Sequence, residues 1–295
     1  MTKGQGRALL LLVAVANMSL LEPIDFIERW RRIVEERRRQ TDAAYARLGR
    51  TTADYWARRA RGFAAFSREA RPDPFLEKVL AYVDGRSTVL DVGAGAGRHS
   101  VPLARVVRRV FAVEPSAAMA SHLREWAQEE GLANIEVIEG TWPEVNVPTC
   151  DVAICAHVLY PVAEIEPFLR ALHGSARRYC FLWLHGEQVA LESLGLWERF
   201  YGEPRARQPT FRDVLPVLWQ MGLHPNLEMS EIPESWSWGS MEEAAQNFRE
   251  HLAIPEDEAT EARLRRELAA ALVEREGHLY LPKTTYRSAI VWWGK

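Results

Sequence analysis

Cysteine is scarce in this chain, with three in 295 residues at Cys150, Cys155 and Cys180. The count is odd and no C-x-x-C pair occurs, so neither a disulfide framework nor a thiolate zinc site is indicated, and a reducing compartment suits the chain. No histidine and carboxylate residues stand at metal-ligand spacing, so no metal is expected. A basic excess is also missing. The formal charge is -3 and the sequence pI about 6.3, which argues against a surface built to wrap a polyanion. There is no internal repeat and no low-complexity linker. The apolar run 8–16 is too short to span a bilayer, so no membrane partner is expected.

What is present is an ordinary globular composition, 47% hydrophobic and 26% charged, in a chain long enough to bury a full α/β core. Arg29, Arg31, Arg32, Arg37, Arg38 and Arg39 cluster, but Glu28, Glu35 and Glu36 interleave with them. That pattern predicts a solvated helix face laced with ion pairs. At the N-terminus, Lys3 and Arg7 precede an apolar run that ends in Ala14-Val15-Ala16, the outline of a secretory signal. Met18 followed by Ser19-Leu20-Leu21-Glu22-Pro23 makes an alternative natural start before a helix. Residues 1–17 are therefore set apart as a leader or a misassigned start.

Hydrophobic periodicity predicts helices over 23–40, 52–66 and 73–83. The pattern then changes to short apolar runs alternating with helical segments. Strands are expected at 88–92, 109–114, 135–138, 151–156 and 178–185, with helices at 98–107, 116–130 and 165–175. Such alternation predicts a parallel sheet with helices on both faces. Two helical stretches follow, 188–201 and 209–221, then a strand at 226–232. Residues 234–283 read as mainly helical, and 288–293 as a last strand.

The most informative segment is Val89-Leu90-Asp91-Val92-Gly93-Ala94-Gly95-Ala96-Gly97-Arg98. A hydrophobic strand enters a turn with glycines at alternate positions, and a helix follows. Glycine is needed where the backbone takes positive φ or where a ligand lies against the main chain. The helix start offers free N–H groups and the positive end of a dipole. A dinucleotide turn has G-x-G-x-x-G spacing, but its third glycine would fall here at Arg98. A nicotinamide-dependent oxidoreductase is thereby disfavoured. Further on, Val110-Phe111-Ala112-Val113-Glu114-Pro115 places an acid 17 residues past Gly97 at a strand end. Its two oxygens are suited to two vicinal hydroxyls.

With this G-x-G-x-G turn, its preceding acid and Glu114, the chain over 85–182 resembles the class I S-adenosylmethionine-dependent methyltransferases. The resemblance implies a Rossmann-like α/β fold. That fold is a seven-stranded, mostly parallel sheet with helices on both faces, whose last strand inserts antiparallel beside the fifth. It implies S-adenosyl-L-methionine as cofactor, held by Asp91, Gly93, Ala94, Gly95, Gly97, Glu114, Pro115 and Met119. It also implies contacts from Gly140, Thr141 and Trp142 on the adenine side, and from Ala156 and His157. Where the family commonly has an Asp for the adenine amine, this chain has Gly140-Thr141. Trp142 either flanks the adenine or is core. Tyr55 and Arg59 share a helix face and are candidates for covering the cofactor.

The expected domain plan is an N-terminal helical cap at 18–84, and a cofactor-binding domain at 85–233 and 284–295. A helical substrate insertion at 234–283 completes it. His157, His185 and Tyr160, at carboxyl ends of neighbouring strands, are the candidate catalytic groups, because histidine with its ordinary pKa of about 6.5 suits proton transfer near neutrality. Either histidine is also readable as bonding loop backbone, and Tyr160 as orienting a substrate or packing against the cofactor's methionine end. The D/N-P-P-Y/F motif of methyltransferases acting on nucleic-acid bases is absent after the strand at 151–156. The leading expectation is therefore a cytoplasmic enzyme, monomer or homodimer, that methylates a small molecule. A tRNA or protein methyltransferase and a non-catalytic cofactor-binding protein are the alternatives. Arg205 and Arg207 are candidates for an anionic substrate. Trp183, Trp236, Trp238, Tyr201 and Tyr280 are readable as an aromatic pocket or as packing, and Trp292-Trp293 as an interface.

Overall fold

A computed structural model describes residues 24–51, 55–69, 71–188, 190–233 and 236–295. Residues 1–17, set apart above, lie outside them. Three helices, α1 (Phe26–Arg47), α2 (Tyr55–Arg68) and α3 (Pro74–Leu80), precede the sheet. Then come β1 (Thr88–Val92), α4 (Ser100–Ala104), β2 (Arg109–Glu114), α5 (Ala117–Glu129) and β3 (Ile135–Glu139). They are followed by β4 (Cys150–Ala156), α6 (Ile165–Ser175) and β5 (Ala176–His185). After β5 the chain forms a 3-10 turn (Ala190–Leu194), α7 (Leu196–Tyr201), α8 (Phe211–Gln220) and β6 (Asn226–Pro233). The last elements are β7 (Ser237–Trp238), α9 (Met241–Leu252), α10 (Glu258–Ala271), β8 (Val273–Arg275), β9 (His278–Tyr280) and β10 (Thr285–Gly294).

The central sheet has seven strands in the order β3-β2-β1-β4-β5-β10-β6. β1 to β5 are parallel, and β10 runs antiparallel between β5 and β6, as expected for the last strand. All five residues of β1 are buried. That is why its sequence is a continuous apolar run rather than an alternating one. Leu90 and Val92 face one side with α6 and α8, whereas Val89 faces the other with Phe75 of α3. Strand order reverses between β1 and β4, which opens a crevice at the carboxyl edge.

Two sequence expectations change. The stretch 188–201 is not one helix, because Gly195 takes φ 64° and separates the 3-10 turn from α7. Residues 236–281 are not all helical. β7, β9 and β8 form a separate three-stranded antiparallel sheet. The β8–β9 hairpin turns through Glu276 and Gly277, both at positive φ, as a two-residue hairpin of the favoured hand requires. Charged residues all along 274–276 hid the strand pattern.

Helix α1 joins two cores. Asp25 caps it by accepting from the N–H groups of Ile27 and Glu28, and Gln220 of α8 bonds both Asp25 and the Phe26 N–H. Trp30 is fully buried in the sheet core, and its Nε1 donates to the Val162 carbonyl at 2.7 Å. At the other end, Ala44 and Tyr45 pack into a second core with Trp197, Phe248 and Leu264. The interleaved charges between these ends do form pairs, such as Arg32 with Glu28 and Arg39 with Glu36.

Replacing Trp30 with Ala should cost roughly 3–5 kcal/mol, because it leaves a cavity and an unbonded carbonyl in the sheet core. Urea denaturation measures this, and a loss below about 1 kcal/mol would show that α1 is not anchored there.

Candidate functional site

The glycine turn leaves β1 with Gly93, Gly95 and Gly97 at φ 74°, 57° and 99°. The three serve different ends. A side chain on Gly93 would lie 2.3 Å from a methyl of Val158, and one on Gly97 would meet Leu123 and Val101 at 3.1 Å. A side chain on Gly95 would meet nothing within 4 Å. Gly93 and Gly97 are therefore required by packing, and Gly95 is the open member, where a ligand has room against the main chain. The turn is fastened to β2, since the Gly93 and Ala94 N–H groups donate to the Val113 carbonyl at 2.8 and 3.0 Å.

Glu114 ends β2 and is 6% exposed. One carboxylate oxygen accepts the Gly95 N–H and the other the Ser116 N–H, both at 2.8 Å. Burial nevertheless raises its pKa above the usual carboxylate value, with the two N–H bonds opposing. A carboxylate oxygen has about two acceptor sites, so each retains capacity for a hydroxyl. An open glycine turn beside a carboxylate with two free acceptor positions fits a ribose-bearing cofactor. Asp91 points elsewhere. It is buried, accepts from the Ser100 hydroxyl at 2.7 Å and has a pKa raised by burial. Ser100 opens α4, so Asp91 ties β1 to that helix.

The remaining expected cofactor residues are placed unevenly. Pro115 is exposed beside Glu114, and Met119 is buried against Ala60, Ala64 and Ala96, where α2 crosses the glycine turn. Tyr55 and Arg59 belong to α2, but their side chains, with that of Trp56, fall outside the described residues. Gly140, at φ 152°, allows Val145 to pack where a side chain would stand, and Thr141 is exposed. Trp142 is core. It is buried, and its Nε1 donates to the Phe168 carbonyl at 3.2 Å.

At the end of β4, Ala156 is partly buried and His157 adopts φ 58°, a left-handed conformation uncommon for a residue with a side chain. The structure brings the three candidate catalytic groups together. The Tyr160 hydroxyl accepts the His185 N–H at 2.9 Å and lies 2.7 Å from His157 Nδ1. Its own proton is therefore free to bond His157 Nδ1, an assignment that makes Nε2–H the outward donor of His157. The His157 and His185 rings are 4.6 Å apart. Desolvation holds His157 well below its ordinary value and His185 at about 4. Both shifts favour the neutral form of the rings.

Sequence reasoning missed the wall beside them. Trp183 stacks on Phe75 at 5.4 Å and contacts the His157 ring at 4.5 Å. Arg98, directly after the glycine turn, bonds Asp73 at 2.8 Å and lies 5.8 Å from the Trp183 ring centre. Burial pushes Asp73 up, but His99 and Arg98 outweigh it and hold its pKa below the usual value. The signals were present, as an arginine abutting the turn and an Asp-Pro helix start, but only the fold joins them. Of the expected aromatic pocket, only Trp183 is here. Trp238 packs on Phe248, and the Tyr201 hydroxyl donates to the carbonyls of Leu252 and Ala253. Trp293 is buried in the sheet core and Trp292 stacks on Phe181. Arg205 lies over Trp197 at 3.6 Å and donates to Thr41, which makes it a packing residue.

This strand order, glycine turn and acid define a Rossmann-like nucleotide-cofactor domain. The sequence model of the family described as "Methyltransferase domain" matches residues 89–178, so this stretch carries a methyltransferase domain of the class I, S-adenosylmethionine-dependent kind. An uncharacterized protein of Haemophilus influenzae is 26% identical over 165 residues, which are 55% of this chain and 60% of that protein. A Methanosphaera stadtmanae protein named "Probable ribosomal RNA small subunit methyltransferase A" is 30% identical over 88 residues, 30% of this chain and 32% of its own. The chain thus spans less than two thirds of either relative. Among solved structures, magnesium protoporphyrin IX methyltransferase from Synechocystis, with bound S-adenosylhomocysteine, shares the fold. Its TM-score is 0.50 at 20% identity, covering 62% of this chain and 91% of that one. Among the described residues, no helix is long and apolar enough to cross a membrane.

Gly95→Ala should reduce stability only by the left-handed backbone cost, roughly 1–2 kcal/mol, yet remove affinity for S-adenosylhomocysteine. Gly97→Ala should cost more stability, because its Cβ also meets Leu123 and Val101. Denaturation and ligand titration of both variants separate the two roles, and normal binding by Gly95→Ala would show that the ligand lies elsewhere.

The lowered histidine pKa values make a second outcome measurable. The unfolded chain binds protons near pH 6.5, whereas folded His157 and His185 remain neutral, so their share of stability is full above pH 6.5 and is lost as pH falls toward the folded values. Ring proton shifts followed by NMR should show neither histidine titrating between pH 7 and about 5.5. A midpoint near 6.5 for either would show that burial does not depress that ring.

Proposed function

We propose that this protein is an S-adenosylmethionine-dependent methyltransferase whose acceptor is a small molecule. The acceptor is presented at the carboxyl edge of β4 and β5. The observation that carries the reading is the meeting of an open Gly95, a buried Glu114 and the His157–Tyr160–His185 cluster at one edge of the sheet. When bound, the cofactor supplies an activated methyl group for in-line displacement, so the chain's work is chiefly positioning. Glu114 takes the ribose hydroxyls. Gly95 admits the ligand against the main chain, and Gly140 and Thr141 border the adenine.

On the acceptor side, Tyr160 locks His157 in one tautomer and orients its Nε2–H as a donor. A neutral donor orients an acceptor without withdrawing a proton from it. The cluster therefore acts on a nucleophile that is already competent at neutral pH. The overall charge of -3 and the missing D/N-P-P-Y/F motif support a small-molecule acceptor over a nucleic-acid base. The relative named for ribosomal RNA supports the other reading, but only over the 88 residues it aligns.

Calorimetric titration with S-adenosylhomocysteine, with NADH as control, should show binding of the first alone. Glu114→Ala should weaken that binding by about 1.5–3 kcal/mol, the range for charged hydrogen bonds. Affinity should also fall on acidification, beginning above the ordinary carboxylate range, because protonated Glu114 accepts less well. A Glu114→Gln variant should show no such pH dependence. Unchanged affinity in Glu114→Ala removes the ribose assignment. For the acceptor, methyl-labelled cofactor added with a cell extract should place label in the low-molecular-weight fraction. Label in RNA or protein instead would overturn the small-molecule reading.

A further inference from the structure

Beside the cluster lies a cleft of about 590 Å³, within the roughly 300–1,000 Å³ range of small-molecule sites. Its position follows from the strands. Gly186 and Glu187 continue directly from His185, and Arg287 precedes Ser288, which pairs with His185 in the β5–β10 register. A side chain on Gly186 would lie 2.9 Å from Arg287, so only glycine lets the two segments pass this closely. The opposite wall comes from α1 and the start of α8, with Arg29 and Arg212 among the lining residues.

The charges in the cleft are unequal. Asp213 is taken by Arg207 through two bonds of 2.6 and 2.7 Å. Glu187 is taken by Lys283 at 2.6 Å and by the Arg287 backbone N–H at 2.8 Å. Its carboxyl is held below the usual range by those bonds and, more weakly, by the Arg287 charge. Among the described residues, Arg29, Arg212 and Arg287 form no ion pair. All three are exposed. Three exposed guanidiniums outside any ion pair thus line one cleft whose two carboxylates already have partners, in a chain with a net charge of -3. Arginine forks match the geometry of carboxylate and phosphate oxygens. Phe26 and Pro216 add an apolar surface between them.

We propose that this cleft holds the anionic part, carboxylate or phosphate, of the methyl acceptor and so presents the acceptor's remainder to the edge at His185. The proposal rests on the methyltransferase reading for the word acceptor, but the anion site stands on its own geometry. Arg29, Arg212 and Arg287 are specificity-determining residues of this site, and Arg207 holds the wall by its bond to Asp213.

The full chain is titrated with pyrophosphate, with succinate, with a single-stranded RNA oligonucleotide and, separately, with S-adenosylhomocysteine. The same four titrations are made on Arg29→Ala/Arg212→Ala/Arg287→Ala. Wild type should bind pyrophosphate or succinate, and the triple variant should lose about tenfold or more of that affinity, the effect of losing charged hydrogen bonds. Its S-adenosylhomocysteine binding should be retained, which also shows that it is folded. Pyrophosphate alone marks a phosphate acceptor, and succinate alone a carboxylate one. Binding of neither, or undiminished binding by the triple variant, overturns the proposal. RNA binding that the variant loses, without binding of either small anion, overturns it in favour of a nucleic-acid surface. Failure of S-adenosylhomocysteine alone to bind wild type defeats the methyltransferase reading and leaves the anion site intact.

Discussion

The reversal of strand order between β1 and β4 is the constraint on which the rest of the molecule depends. β1 has β2 on one side and β4 on the other, so the connections leaving β1 and β4 turn to opposite faces of the sheet. The glycine turn occupies one bank and His157 the other. Val158 reaches back across to pack on Gly93, which fixes the width of the crevice at its base. The antiparallel β10 extends the same edge. Because Ser288 pairs with His185, the start of β10 delivers Arg287 to the end where β5 finishes. One topological decision therefore gathers groups from five strands without any long loop being needed to carry them.

Burial at that edge works against charged forms. Asp91 and Glu114 are pushed up and His157 and His185 are pushed down, in each case chiefly by desolvation. All four shifts favour neutral forms, so the site is costly to charge before a ligand arrives. Glu114 is the instructive case, because two main-chain donors do not offset its burial. Hydroxyls brought by a ligand would add further donors to the ionised form, and binding would then relieve a strain that folding leaves in place. Tyr160, which accepts the His185 N–H, fixes the tautomer of His157, and a fixed tautomer is a directional donor.

β1 was legible because it is buried on both faces and stops at glycines. Thr88 to Gly97 reads as strand, turn and helix start from composition alone, and Glu114 stands at a strand end by simple counting. The partners that give these residues their properties were not legible. Asp73 and Arg98, or Tyr160 and the His185 N–H, are separated by 25 residues each and meet only through the fold. All three glycines take the positive φ that the turn pattern implied, and at Gly93 and Gly97 neighbouring side chains also leave no room for a Cβ. The insertion misled for a different reason. Its hairpin is built from Glu274, Arg275 and Glu276, whose charge conceals alternation, and its helices dominate any periodicity count.

The family match covers residues 89–178. The elements within it, β1 to β4 and α4 to α6, pack on the central sheet. Beyond it, residues 191–201 and 238–281 bury their apolar side chains in a core of their own, with Trp197, Phe248 and Leu264 at its centre. The two cores share α1. One end of that helix is fixed by Trp30 and the other by Tyr45, with Gln40 and Arg37 bonding the 204–206 segment and Glu192 between them. α1 and the chain leaving β5 cross between the two cores, as do the segments that lead back to α8 and to β10. Arg29 stands on the same rigid helix as Trp30, so the charged cleft is aligned to the sheet edge by a residue that is itself fully buried.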